Sequence, residues 1–165
     1  MLNKIILYLR RKQILQYINI AIARAGATSS LRLIDPSNPA SWEFSGFSQN
    51  GEDGIIDFLT SKIKNPNRYF VEIGSLDGTE NNTSWLALAK KHSGLMVEGD
   101  RKRFKDINSI IGPLNIGVDY LCLFVGKGNV SKFRERCLYE NPDVFSLDID
   151  GNDYYIADII LKAGI

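Results

Sequence analysis

The apolar positions of this chain alternate between helix-like and strand-like runs. Over residues 2–24 two apolar sets recur at helical spacing: Leu2, Ile5, Ile6 and Leu9 on one face, and Ile14, Leu15, Ile18 and Ile22 on another, rotated well round the axis. Two such faces predict a helix that packs against protein on two sides, or bends. A helix lying flat on a membrane would carry a single stripe. Residues 25–41 hold Gly, Thr, Ser, Asn and the prolines Pro36 and Pro39, the composition of a connector.

From Trp42 onward the period switches repeatedly. Ile55, Ile56, Leu59 and Ile63 predict a helix ended by Asn65-Pro66-Asn67. Residues 68–73 form a β-rich run closed by Gly74. Residues 82–92 read as helix, with Trp85, Leu88 and Ala89 facing inward and Gly94 placed to end it. A second strand over 95–97 runs into Glu98-Gly99-Asp100, and Phe104, Ile107 and Ile111 mark a helix stopped at Gly112-Pro113. Residues 118–125 predict a third strand, 130–138 a helix and 144–149 a fourth strand, with a last helix over 154–162.

Alternating strands and helices with apolar strand centres predict a parallel sheet covered on both faces, a Rossmann-like three-layer α/β/α fold. The expected organisation is an N-terminal basic helix and linker over residues 1–41, then a partial Rossmann-like domain over 42–165. A parallel sheet that stops after a fourth strand leaves that strand at an edge with unpaired backbone groups, so later strands are expected to be missing.

Composition narrows the function. The 165 residues are 44% apolar and 24% charged, ordinary for a globular domain. A net charge of +1 gives no global reason to expect a nucleic-acid partner. The charge is uneven: residues 1–34 carry Lys4, Arg10, Arg11, Lys12, Arg24 and Arg32 and no acid before Asp35. That basic segment leaves weak peripheral membrane association through residues 2–24 open. Cys122 and Cys137 have no metal or redox spacing and are expected to be free thiols in a reducing compartment. With Arg10, Arg11 and Lys12 interrupting the apolar start, no signal peptide is read and the expected location is cytoplasmic.

The chemistry gathers at strand ends. The loop Glu72-Ile73-Gly74-Ser75-Leu76-Asp77-Gly78 follows a predicted strand, where glycines let backbone approach a ligand closely. It lacks the G-x-G-x-x-G of dinucleotide sites, and residues 125–129 lack the P-loop spacing. An acid-lined loop would repel a pyrophosphate but suits S-adenosylmethionine, which carries a sulfonium and an ammonium and no phosphate. Glu72 and Asp77 supply that charge, and Glu98, roughly 20 residues beyond the glycine loop, has the spacing of an acid that binds ribose hydroxyls. The loop could equally be a strand-to-helix turn without a ligand.

Asp148 and Asp150, two apart at the end of the fourth strand, leave an extended chain on the same face. They could hold a divalent cation, though no metal site is predicted, or raise one another's pKa so that one accepts a proton. Asn152 and Asp153 could instead be caps. Ser48-Gln49-Asn50-Gly51-Glu52-Asp53-Gly54 reads either as a helix start with acids at the dipole's positive end or as a rim of the crevice. His92, the single histidine, sits near a helix C-terminus where a cationic ring is favoured locally, so no catalytic role is assigned to it.

Together, residues 48–54, 69–83, 94–100 and 145–156 resemble the FkbM-type family of S-adenosylmethionine-dependent methyltransferases, in the right order along the chain. The resemblance implies methyl transfer to an oxygen on a sugar or other small molecule. It places Glu72, Gly74 and Gly78 at the methionine end of the cofactor, Glu98 at its ribose, and Asp148 and Asp150 between cofactor and acceptor, with Ser75 and Asp77 also among the cofactor-binding residues. Residues 1–41 have no counterpart in these motifs. The alternative is a truncated or degenerate module of the same fold that binds a nucleoside without turnover. Oligomeric state is left open.

Overall fold

The computed structural model describes residues 2–164; Met1 and Ile165 lie outside them. Four parallel strands, β1 (Tyr69–Ile73), β2 (Ser93–Glu98), β3 (Val118–Cys122) and β4 (Val144–Leu147), form one sheet in the order β3-β2-β1-β4. β1 is central and buried at every position. Its Val71 pairs with Leu95 on one side and with Phe145 on the other. The chain winds outward from β1 through β2 to β3 and then returns to the far side of β1. The winding therefore reverses between β1 and β4, where a crevice opens at the carboxyl ends of the strands. β4 lies at an edge of the sheet, as expected.

The period of two in the strands sorts the core into two layers. Tyr69, Val71, Ile73, Leu95 and Val97 face one side, where Phe133 of α4 (Val130–Arg134) and Ile160 of α5 (Asp153–Lys162) cover them. Phe70 and Met96 face the other, against α1 (Leu2–Leu31), the π-helical turn Trp85–Ala89, and the continuation of α3 (Arg101–Asp106) through a second π-helical turn at Ile107–Ile111. This is the three-layer α/β/α arrangement that the alternating pattern predicts.

Several elements are shorter than expected, among them β3, which ends at Cys122, and α4, which ends at Arg134; two others on the α1 side of the sheet differ in kind. Helix α1 runs on to Leu31, through residues whose composition suggests a connector. Tertiary packing overrides that local preference: Ala25 is fully buried and its Cβ abuts Gly46 so closely that no side chain would fit there. Thr28 and Ser30 return their hydroxyls to the carbonyls of Arg24 and Ala27, satisfying themselves within the helix. Ile14, Ile18, Ala21 and Ala25 make a single buried stripe, while Ile5, Ile6 and Leu9 stay exposed, so the helix packs on one side and not two. The side chain of Leu2 lies outside the described ones. The helix expected over 82–92 contracts to the turn Trp85–Ala89 because the residues before it are bound back to the glycine loop: Asn81 Nδ2 donates to the Ser75 carbonyl and Ser84 Oγ to the Gly78 carbonyl.

Helix α1 is fastened to α2 (Glu52–Thr60) by Arg32. Its guanidinium donates to the carbonyls of Trp42 and Gly54 and pairs with Asp57 at 2.9 Å, while lying 4.8 Å from the Phe44 ring centre. Asp57 also accepts from Trp85 Nε1 and pairs with Lys90. Arg32 and Asp57 are almost entirely buried, so removing one partner strands a desolvated charge. Arg32→Ala is expected to cost about 3 kcal/mol in urea denaturation. Lys90→Ala, whose side chain is nearly half exposed, should cost less than about 1 kcal/mol; equal losses for the two would refute this account of the clamp.

Candidate functional site

Gly74 sets the geometry of the crevice. It takes φ +91°, and a Cβ there would lie 1.8 Å from the Asp148 carbonyl oxygen, so β4 can approach β1 this closely only because residue 74 has no side chain. The Asp148 amide donates to the Ile73 carbonyl at 3.0 Å, and the Gly74 and Ser75 amides both donate to the Val97 carbonyl. The loop is thereby tied to both neighbouring strands. Above it opens a cleft of about 580 Å³ lined by Gly74, Glu98, Phe124, Asp148, Asp150 and Ile156 among others. That volume lies within the usual range for small-molecule sites.

Four of the sequence-predicted residues, Gly74, Glu98, Asp148 and Asp150, come together on this cleft. Glu98 is nearly buried; one carboxylate oxygen accepts from the Asp100 amide at 2.7 Å. Among the described residues its other oxygen meets no donor. Asp148 is raised above the ordinary aspartate range by partial burial first, then by the negative charges of Asp150, Asp153 and Glu52. Asp150 sits in the left-handed region at φ 58°. Asp153 spends both oxygens on the loop itself, accepting from the Ile149 and Gly151 amides, which settles it as a backbone organiser. Asn152 makes no side-chain cap bond at the start of α5 and lines the cleft.

The other four lie behind the cleft wall. Ser75 is fully buried with its hydroxyl directed at the Val97 carbonyl. Asp77 turns back to accept from the amide and hydroxyl of Thr79. Gly78, at φ +79°, lets the loop pass over Ile107 and Ile111. Glu72 is buried beneath the loop, accepting from the Asn82 amide at 2.9 Å and the Thr83 hydroxyl at 2.5 Å. Burial pushes its carboxyl up to about 7 against the pull of those two hydrogen bonds, with the charges of Asp148 and Asp53 adding to the rise.

The segment 48–54 serves both of its expected roles. Asp53, fully buried, receives the amides of Gly46, Phe47 and Ser48 on one oxygen at 2.7–2.9 Å, while Ser48 Oγ accepts the Asp53 amide. Burial nonetheless raises its pKa. Glu52 receives the Asn50 amide. Gln49, Asn50 and Glu52 also rim a polar hollow of about 100 Å³, closed by Leu76, Asn82 and Asp148. Leu76 and Asp148 line this hollow and the main cleft alike, so the two spaces share a wall.

Sequence reasoning missed the apolar side of the cleft. Leu123, Phe124 and Val125 fell inside a predicted strand, but β3 ends at Cys122 and the chain turns so that Phe124 stands exposed beside Gly99. Ile156, on the first turns of α5, faces them. Gly126 and Gly128 bound this run only after Val125, so they give no signal for an end at Cys122. His92 also differs from expectation. It is buried at the opposite end of the sheet from the cleft, and burial, then Arg68, lowers its pKa, so the cationic ring is disfavoured there. Among the described residues no group of three or more His, Cys, Asp or Glu side chains could hold a metal ion. The cleft carries Glu98, Asp100, Asp148 and Asp150 against the single guanidinium of Arg103, which favours a cationic ligand over a phosphate.

No protein-family model matches the chain, and no curated relative does. Among solved structures it is similar to an O-methyltransferase from Bacillus cereus in complex with SAH, with a TM-score of 0.53 and 20% identity. The likeness covers 94% of this chain and 61% of that protein, so the chain spans less than two thirds of its length. At this identity the likeness shows the fold: a Rossmann-like α/β architecture shared with a methyltransferase.

The buried acid beneath the loop makes a pH prediction. Because Glu72 rises from 4.5 to about 7 in the folded protein, the native state binds its proton more tightly than the unfolded chain. Its effect is most favourable below about 4.5, and stability falls by roughly 3 kcal/mol as pH climbs from there through 7. Glu72→Gln keeps an acceptor for the Asn82 amide and removes this titration. Denaturation midpoints should then decline much less between pH 5 and 8 than in the wild type; an unchanged decline would overturn the assignment.

Proposed function

We propose that the cleft binds S-adenosylmethionine and that the chain forms the cofactor-binding part of an O-methyltransferase of the FkbM type, acting on a hydroxyl of a sugar or similar small polar molecule. One observation carries this reading: Asp148 stands on the wall between an acid-lined cleft and a small polar hollow. A proton acceptor between two ligand spaces is what hydroxyl methylation requires. The resemblance of the motifs and the fold shared with an O-methyltransferase crystallised with SAH support the same reading.

The residues present fit this cofactor. The open oxygen of Glu98 would accept hydrogen bonds from ribose hydroxyls. Leu123, Phe124 and Ile156 offer an apolar surface for the purine, and the carboxylates around the cleft suit a ligand with cationic groups. Gly74 lines the cleft where the methionine end would lie, on a loop shaped from behind by Glu72, Ser75, Asp77 and Gly78. When bound, S-adenosylmethionine supplies a methyl group made electrophilic by its sulfonium.

The chain's own contribution is positioning and proton acceptance. Gln49, Asn50, Glu52 and Asn82 present hydrogen-bonding groups to an acceptor in the hollow, which favours a polyhydroxylated molecule over an apolar one. Holding the acceptor oxygen in line would supply much of the acceleration. The Asp148 carboxylate takes the hydroxyl proton, its basicity raised by partial burial and by Asp150. A second reading is cofactor binding without turnover.

Calorimetric titration with S-adenosylmethionine tests the proposal. The wild type should bind, and Glu98→Ala should weaken binding roughly tenfold or more, the loss of hydrogen bonds at a buried acid. Asp148→Asn should bind within about threefold of wild type and lose roughly a hundredfold or more of methyl transfer to sugar hydroxyls. No binding by the wild type, or undiminished binding by Glu98→Ala, would sink the cofactor assignment. Binding without any transfer would leave the second reading standing in its place.

A further inference from the structure

We propose that the first turns of α1 form a shallow anchor on an anionic lipid surface. The helix is 30 residues long, but its buried stripe begins only at Ile14. Among the described side chains the earliest tied to the body by an ion pair or hydrogen bond is Arg10, whose guanidinium pairs with Asp106. Before it, Ile5, Ile6, Leu7, Tyr8 and Leu9 are exposed by between 50% and 67%. Five consecutive residues at about 100° each look in every direction round a helix. The tip is therefore apolar on all sides and overhangs the domain, and a helix apolar all round requires something to cover it.

The charge next to the tip says what covers it. Arg11 and Lys12 are exposed immediately after the apolar tip, Lys4 immediately before it, and residues 1–34 contain no acid. A second copy of the chain packed tip against tip would bring these cations together with no carboxylate on either helix to pair them. An anionic bilayer supplies both an apolar phase for the tip and phosphates for the collar. The dimensions agree. Five residues rise about 7 to 8 Å, enough to reach the outer acyl region of one leaflet and far short of the roughly 30 Å hydrocarbon core, and no helix among the described residues is long and apolar enough to cross a membrane. Tyr8 suits the headgroup boundary, and the long side chain of Lys4 can reach back to it.

This inference does not depend on the cofactor. It also accounts for the apolar residues of α1 outside its single buried stripe: they are divided between a core face and an overhanging tip, and among the described residues only the first has a partner within the domain.

The test is co-sedimentation of the full chain with two vesicle preparations, phosphatidylcholine alone and phosphatidylcholine mixed with phosphatidylglycerol. The wild type should pellet with the mixed vesicles and stay in solution with the neutral ones. Arg11→Glu/Lys12→Glu should lower partitioning roughly tenfold or more, since each cation near an anionic surface contributes about a kilocalorie. Leu9→Asp should lower it by a similar factor through the tip. These side chains are exposed, so melting curves should match the wild type; if the reversals perturb folding, Arg11→Ala/Lys12→Ala carries the same comparison. Three results would overturn the proposal: no partitioning of the wild type, partitioning equal on both vesicles, or a dimer in analytical ultracentrifugation that Leu9→Asp converts to monomer without lipid.

Discussion

The carbonyl oxygen of Asp148 lies where a side chain at residue 74 would have to be. That contact is the constraint on which the cleft depends. It lets the carboxyl ends of β1 and β4 close up at the point where the sheet's winding reverses, and it turns the chain after Gly74 toward β2, where two amides share the Val97 carbonyl. The same closeness carries Asp148 to the wall between cleft and hollow. A side chain at residue 74 would push β4 outward and carry Asp148 away from the wall between cleft and hollow.

The second organising force is the use of carboxylates to bind backbone amides. Asp53 gathers the amides of 46–48, Glu72 that of Asn82, Asp153 those of Ile149 and Gly151, and Asp143 those of Asn67 and Arg68. Asp100 caps α3 in the same way. Each replaces solvation of a turn by charge-assisted hydrogen bonds, which are stronger than neutral ones. The deepest of these acids are held against their solvation preference, as the raised pKa values of Glu72 and Asp53 record. Glu98, Asp148 and Asp150 stand apart from this group: their charge is directed at the cleft and only partly engaged by protein.

This division explains what was legible in the sequence. The alternation of strands and helices, the parallel sheet and the glycine loop follow from period and punctuation, because β1 and β2 are mostly apolar and buried along nearly all their length and Gly74 ends β1. Glu98, Asp148 and Asp150 were readable because strand ends in such a sheet converge on one crevice. Which acids face a ligand and which face backbone was not readable. Glu72, Asp77 and Asp153 differ from Glu98 and Asp148 only by where nearby amides point, a property of loops that spacing does not encode. Nor could the early end of β3 be read against the apolar run Leu121-Cys122-Leu123-Phe124-Val125, so Phe124 was hidden inside a strand.

Helix α1 shows the same limit and joins the ends of the molecule. Its connector-like residues 25–31 are helical because Ala25 meets Gly46, a contact between segments more than twenty positions apart, and its two apolar groups answer to different surroundings. Arg10, at the base of the overhanging tip, pairs with Asp106 at the end of α3, and α3 begins at Asp100, whose amide holds the Glu98 carboxylate. One short helix therefore links the tip to the acid wall of the cleft. A lipid surface that held the tip would therefore also bear on the direction in which the cleft faces.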